Sequence, residues 1–230
     1  MTEYRLEIDP SLDPCPTLPA IVWGEGIEPP VPTVAPPVVL LDLIARAQEV
    51  GEGFIPLDLR SRVRGIFRHG KYKPSGRGKP ASEYLLRAAI AGEFPLVNGP
   101  VDVNNAISLE SGFPGSIFDA DRSGPHLLLR RGRPGEEYVF NPSGQSIDLE
   151  DLLLVCRRTE GGWEPCGNAV KDAMTTKTGP ETRNVVAVLY APVDEPATNL
   201  ETYAARYAEL LATHCRASRT GYTVVTNATA

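Results

Sequence analysis

Three observations predict an α+β fold of mixed β-sheets flanked by helices. Apolar residues recur at helical spacing in residues 38–50, 82–91 and 200–216, whereas short apolar runs bounded by turn residues fill the stretch from His126 to Tyr190. Val185-Val186-Ala187-Val188-Leu189 is apolar on both faces, as a strand covered on both sides must be. The chain has 230 residues, 42% hydrophobic and 23% charged, which places it in the ordinary globular range with material for one large domain and an appendage.

Taken in order, Tyr4, Leu6 and Ile8 alternate with Arg5, Glu7 and Asp9, which predicts a half-buried strand, and Ile21 to Trp23 is a second, shorter candidate. Both are expected at sheet edges. Five prolines between Pro29 and Pro37 forbid a continuous ladder, so this stretch reads as an extended arm acting as a connector. Leu40, Leu41, Ile44 and Ala45 then mark a helix over 38–50, stopped by Gly51.

Between Leu59 and Ser82 stand Arg60, Arg62, Arg64, Arg68, Lys71, Lys73, Arg77 and Lys79, with no acidic residue among them. Gly70, Pro74, Gly76 and Gly78 make this a basic loop, either merely solvated or an electrostatic footprint for RNA phosphates. A helix follows over Ser82 to Ala91, capped by Ser82 and ended by Gly92, in which Glu83, Tyr84 and Arg87 are assigned structural roles.

The densest stretch runs from Pro95 to Asp121. Asp102, Asn104, Asn105, Ser108 and Ser111 are interleaved with Val101, Val103, Ile107 and Leu109, so short polar groups are held beside groups that favour burial. That pattern builds a small polar pocket, or a capped helix from near Asn104 to Gly112. Strands are expected at Leu127 to Arg130, Glu137 to Phe140, Leu152 to Cys156 and Val185 to Tyr190. The last helix, Leu200 to Arg216, is entered by Thr198 with Glu201 as a capping box and buries Tyr203, Tyr207, Leu210 and Leu211.

Charge and composition limit the chemistry. A net charge of −6 disfavours nonspecific nucleic-acid binding outside the basic run. Four cysteines without a Cys-x-x-Cys pair and three histidines support neither a zinc site nor a disulfide framework, so free thiols and no metal or cofactor are expected. His69, His126 and His214 are poorly placed for catalysis, since His214 and Cys215 are helix neighbours that point apart. The opening residues hold neither a basic leader nor an apolar run, and no stretch is long enough to span a bilayer; a cytoplasmic protein without a membrane partner is expected.

Several stretches carry a family resemblance. Val101 to Ala106 and Gly112 to Asp119 resemble the Val-Asp-Val-Thr-Asn-Tyr and Gly-x-Pro-Leu-His-Ala-Phe-Asp stretches of the B3/B4 domain of the phenylalanyl-tRNA synthetase beta subunit. The free-standing B3/B4 proteins are more similar still, through Lys79-Pro80-Ala81-Ser82-Glu83, Glu137 to Asn141, Val170-Lys171-Asp172 and Thr175 to Thr178, so that the resemblance covers about Arg77 to Pro192. The chain is expected to divide into N-terminal strands, Pro-rich arm and helix packing on the core (1–58), the basic loop (59–82), the B3/B4-like domain that the resemblance implies (77–216) and a C-terminal tail (217–230).

The resemblance also implies binding of tRNA or aminoacyl-tRNA, or of an amino-acid-like small molecule, with hydrolysis of a mischarged aminoacyl ester in trans as the associated reaction. Such hydrolysis needs a fixed water and donors for the oxyanion, not necessarily a nucleophile. The resemblance marks Asn104, Asn105 and Ser116 as candidate catalytic residues, and Asp102, Lys171, Asp172, Thr176 and Lys177 as candidate substrate-binding residues. It also departs from the family: Asn104 replaces a Thr, Ser116 a His, and Val188 falls where a Glu accepts the tyrosine hydroxyl. Losing that acceptor removes the basis for tyrosine specificity. A binding module without catalysis accommodates these changes, and the Pro-rich arm with the basic loop leaves a partner-binding role open.

Overall fold

A computed structural model describes residues 2–226, apart from the side chain of Arg77. The architecture is α+β, with two four-stranded sheets, a hairpin and packed helices. The first sheet has the order β1 (Arg5–Ile8), β4 (His126–Arg131), β7 (Leu153–Thr159) and β8 (Gly162–Asn168). β1 runs parallel to β4 and the remaining pairs are antiparallel, so the sheet is mixed. The second sheet, wholly antiparallel, has the order β10 (Arg219–Val224), β2 (Thr17–Glu25), β9 (Asn184–Pro192) and β3 (Gly115–Asp119).

β9 is the central strand its sequence predicts: Val185 through Ala191 are fully buried, with β2 and β3 on its two sides. β1 lies at a sheet edge as expected. β2 does not, because β10 pairs along it from Arg219↔Glu25 to Val224↔Ala20 and moves it inward. The residues after 216, read as a tail, therefore supply a strand; the last four lie outside the described residues.

The main core lies between the two sheets and is completed by helices. Leu127, Leu129, Leu153 and Val155 from the first sheet meet Ile21, Val186 and Val188 from the second. α2 (Leu57–Phe67), α4 (Gly99–Ser111) and α6 (Ala197–His214) add Phe67, Ile107 and Tyr207. A second core joins α1 (Val38–Val50), α3 (Ala81–Ala91) and α4 through Leu40, Leu43, Leu86, Ala89 and Leu109. The hairpin β5 (Glu137–Val139) and β6 (Ser146–Asp148) brings Tyr138 and Ile147 onto a third cluster around Leu128 and Leu154. The short α5 (Ala120–Ser123) links β3 to β4.

Several local expectations are corrected. The stretch read as a basic loop opens with helix α2, because Val63, Ile66 and Phe67 share a face that packs into the main core. α1 buries Leu40, Leu43 and Ala47, while Leu41 and Ala45 face outward, a stripe rotated by about one residue from the expected one. Ser82 is not a cap: α3 enters from Pro80, whose fixed φ suits the position before a first turn, and Ser82 is buried inside the helix. Thr198 likewise lies within α6, which enters from Pro196.

α4 begins five residues earlier than expected. Asn98 is its cap, the side-chain oxygen accepting from the Val101 amide at 3.2 Å, and Asn104 falls inside the helix. Its end is as predicted, with Gly112 left-handed at φ 77°.

Candidate functional site

A cavity of about 230 Å³ opens between α4, the start of β3, the entry to α3 and the Asn168–Thr178 segment that joins β8 to β9. Asn104, Asn105, Lys171, Asp172 and Lys177 line it, together with apolar walls from Ala81, Val101 and Ile117. Five of the eight residues singled out in the sequence thus converge from two separate stretches, α4 and the β8–β9 connection. Asp102, Ser116 and Thr176 do not line it.

These three residues hold the walls. Ser116 is fully buried behind the cavity, donating to the Asn168 carbonyl at 3.0 Å and lying 3.2 Å from the Tyr190 hydroxyl. Thr176 donates to the Cys166 carbonyl at 3.2 Å. Asp102 faces the other side of α4, where it accepts from the Val97 amide at 2.9 Å and from the Thr33 hydroxyl of the Pro-rich arm. Burial pushes the Asp102 carboxyl up, against those two hydrogen bonds. Asn104 lines the cavity but is fully engaged, its amide donating to the Gly115 carbonyl at 3.2 Å and its oxygen accepting from the Tyr207 hydroxyl at 3.0 Å.

Asn105 is different. It is half-buried on the cavity wall, and its side chain makes no hydrogen bond among the described residues.

Asp172 is held by a short chain of constraints. Asn168 ends β8 and turns the chain inward, its side-chain oxygen accepting from the Val170 and Lys171 amides at 2.8 and 3.0 Å. Tyr138 of the hairpin fixes this turn by donating to the Lys171 carbonyl and accepting from the Asn168 amide, both at 2.6 Å. Asp172 Oδ2 then accepts from the Ile117 amide at 3.3 Å, whereas Oδ1 is buried with no hydrogen-bond partner among the described residues. Gly167 makes room: a Cβ there would lie 2.4 Å from both Asp172 Oδ1 and the Phe118 ring. Desolvation raises the Asp172 carboxyl to about 7, opposed by the Ile117 amide and the Lys177 charge.

Lys177 supplies the nearby positive charge. Its ammonium donates to the Phe140 carbonyl at 2.5 Å, leaving further N–H groups for a ligand. Burial lowers its proton affinity and Asp172 partly restores it. The Lys171 ammonium lies 3.7 Å from the centre of the Phe140 ring.

Half of the basic run is neutralised. Arg60 pairs with Glu52, Arg62 with Asp58, Asp194 and Glu195, Arg64 with Glu83, and Lys71 with Asp148 and Glu150. These acids lie outside the run in sequence, so the sequence of the run alone does not reveal them. Arg68, Lys73 and Lys79 form no ion pair among the described residues, and the Arg77 side chain lies outside them. All four cysteines are buried and unpaired. No group of residues arranged to hold a metal ion occurs among the described residues, nor does a helix long and apolar enough to cross a membrane.

Fold and cavity together define an α+β domain with a small pocket of mixed polar and apolar lining between a helix and a strand-linking loop. The family described as the B3/4 domain matches residues 75–209, and the chain belongs to that family. Among solved structures it is similar to an N-terminal fragment of the phenylalanyl-tRNA synthetase beta-subunit from Pyrococcus horikoshii, with 11% identity, a TM-score of 0.43 and 91% of this chain covered. The chain spans about half the length of that fragment, 50% of it being covered.

Proposed function

We propose that this protein receives the aminoacyl end of a charged tRNA in trans and hydrolyses its ester. The observation that carries this reading is Asp172, a carboxylate on the wall of a cavity that also presents Lys177 and the unengaged Asn105 amide, and whose other oxygen is buried without a partner among the described residues. At about 230 Å³ the cavity is smaller than sites for drug-sized ligands, which suits a single amino-acid group.

The chemistry balances with these groups alone. Asp172 as carboxylate takes a proton from water as the water oxygen bonds to the ester carbonyl carbon. The developing oxyanion accepts from the Lys177 ammonium and the Asn105 amide. The tetrahedral centre then breaks its bond to the ribose oxygen, which receives the proton back from Asp172. A base titrating near 7 is half available at neutral pH, the range in which general-base catalysis is most effective.

The test is release of amino acid from a panel of mischarged tRNAs. Asp172→Asn is expected to lower the rate by 10²-fold or more, within the usual range for a general base. Asn105→Ala and Lys177→Met should slow it less. A second reading, binding without turnover, is favoured by Ser116, which stands where the family motif carries a histidine and has its hydroxyl occupied behind the wall. Saturable binding of charged tRNA with no release across the panel would establish that reading and reject hydrolysis.

A further inference from the structure

A second cavity, of about 500 Å³, adjoins the first and shares Ala81, Val170 and Lys171 with it. Its other walls are Lys79, Tyr84 and Arg87, beside Gly76. Tyr84 and Arg87 stand one turn apart on α3 and so share a face. Tyr84 is 53% exposed, although most of its neighbours on α3 are buried. Neither Lys79 nor Arg87 forms an ion pair among the described residues, and no carboxylate lines this cavity. The charges of Lys79 and Arg87 are therefore without an ion-pair partner among the described residues, unlike those of Arg60, Arg62, Arg64 and Lys71.

We propose that Lys79, Tyr84 and Arg87 form a nucleotide platform at the mouth of the catalytic cavity, binding a single-stranded RNA 3′ end. An aromatic face with flanking cations and no acid matches a base with its phosphates: the base stacks on Tyr84 and the phosphates lie against Lys79 and Arg87. The shared residues Ala81, Val170 and Lys171 place the platform beside the cavity that Asp172 lines. This deepens the proposed hydrolysis, resting on that reading for what the strand carries, though strand binding itself is measured separately.

The experiment uses a fluorescent RNA hairpin ending in single-stranded CCA, and the same hairpin without its single-stranded end. Tyr84→Ala should weaken binding of the first on the order of tenfold, as expected for one lost stacking contact, while Tyr84→Trp retains it. Lys79→Glu with Arg87→Glu should weaken it further and flatten its salt dependence. Binding of the hairpin without the single-stranded end should not change in any variant, and hydrolysis of an amino-acid ethyl ester, which has no nucleotide, should stay at the wild-type rate. Unchanged affinity of Tyr84→Ala for the CCA hairpin, or equal weakening for both hairpins, overturns the platform. Wild-type protein that binds through Tyr84 but releases no amino acid refutes the hydrolysis and leaves the platform standing. Full activity of Tyr84→Ala on charged tRNA does the reverse.

Discussion

Single residues in the cavity divide into those that do chemistry and those that hold shape, and the division has measurable signs. Asp172 has a folded-state affinity for its proton near 7 against an ordinary 3.8, so the folded state holds the proton more tightly than the unfolded chain. Its contribution to stability is thus complete below about pH 4 and is lost as pH rises to about 7. Asp172→Asn carries no such cost. Denaturation across pH should show this variant gaining on the wild type between about pH 4 and pH 7, by up to about 4 kcal/mol; parallel curves would refute the shift. Tyr207 tests the shape-holding class. Tyr207→Phe leaves the Asn104 oxygen buried without its donor and should cost about 1–3 kcal/mol in urea unfolding.

At the level of elements, strong apolar periodicity was legible and disguised periodicity was not. β9 announces itself through an unbroken run of buried positions and α6 through buried positions recurring at helical spacing. α2 was hidden because its core residues Val63, Ile66 and Phe67 are outnumbered by arginines that are neutralised only in three dimensions. β8 contains Gly162, Pro165 and Gly167, poor strand residues that an edge position and a register shift accommodate. β10 contains Gly221, where the Trp23 ring lies 2.4 Å from any added Cβ, so the glycine is required by packing that sequence does not display. For the site, the family motifs brought Asp172 and Lys177 into view, but the free oxygen of Asp172 depends on burial. The roles of Tyr84 and Arg87 depend equally on which other cations have found partners. The cap of α4 is the element-scale test. Asn98→Ala should cost about 1 kcal/mol in thermal unfolding, and also frees Thr178, which its amide bonds at 3.2 Å beside the cavity. Hydrogen exchange in residues 168–178 should therefore quicken in that variant more than in β9.

For the whole molecule, the two sheets are closed over one core, and β10 is the piece that protects the second sheet. Without residues 217–230, β2 would present an unpaired edge from Thr17 to Glu25, a template for association with another chain. The truncated protein should elute as concentration-dependent aggregates where the full chain does not. The four buried cysteines carry a different consequence. Burial pushes the Cys156 and Cys215 thiols up to about 12, and Cys166 is raised as well, so the reactive thiolate is scarce even at alkaline pH. Cys166 lies in the strand leading into the Asp172 turn, and Cys215 ends α6. Their labelling by a thiol reagent would require those regions to open, which makes the native chain its own stopwatch: mass spectrometry of each modified peptide over time would give opening rates for two elements of the fold, with no probe introduced by mutation.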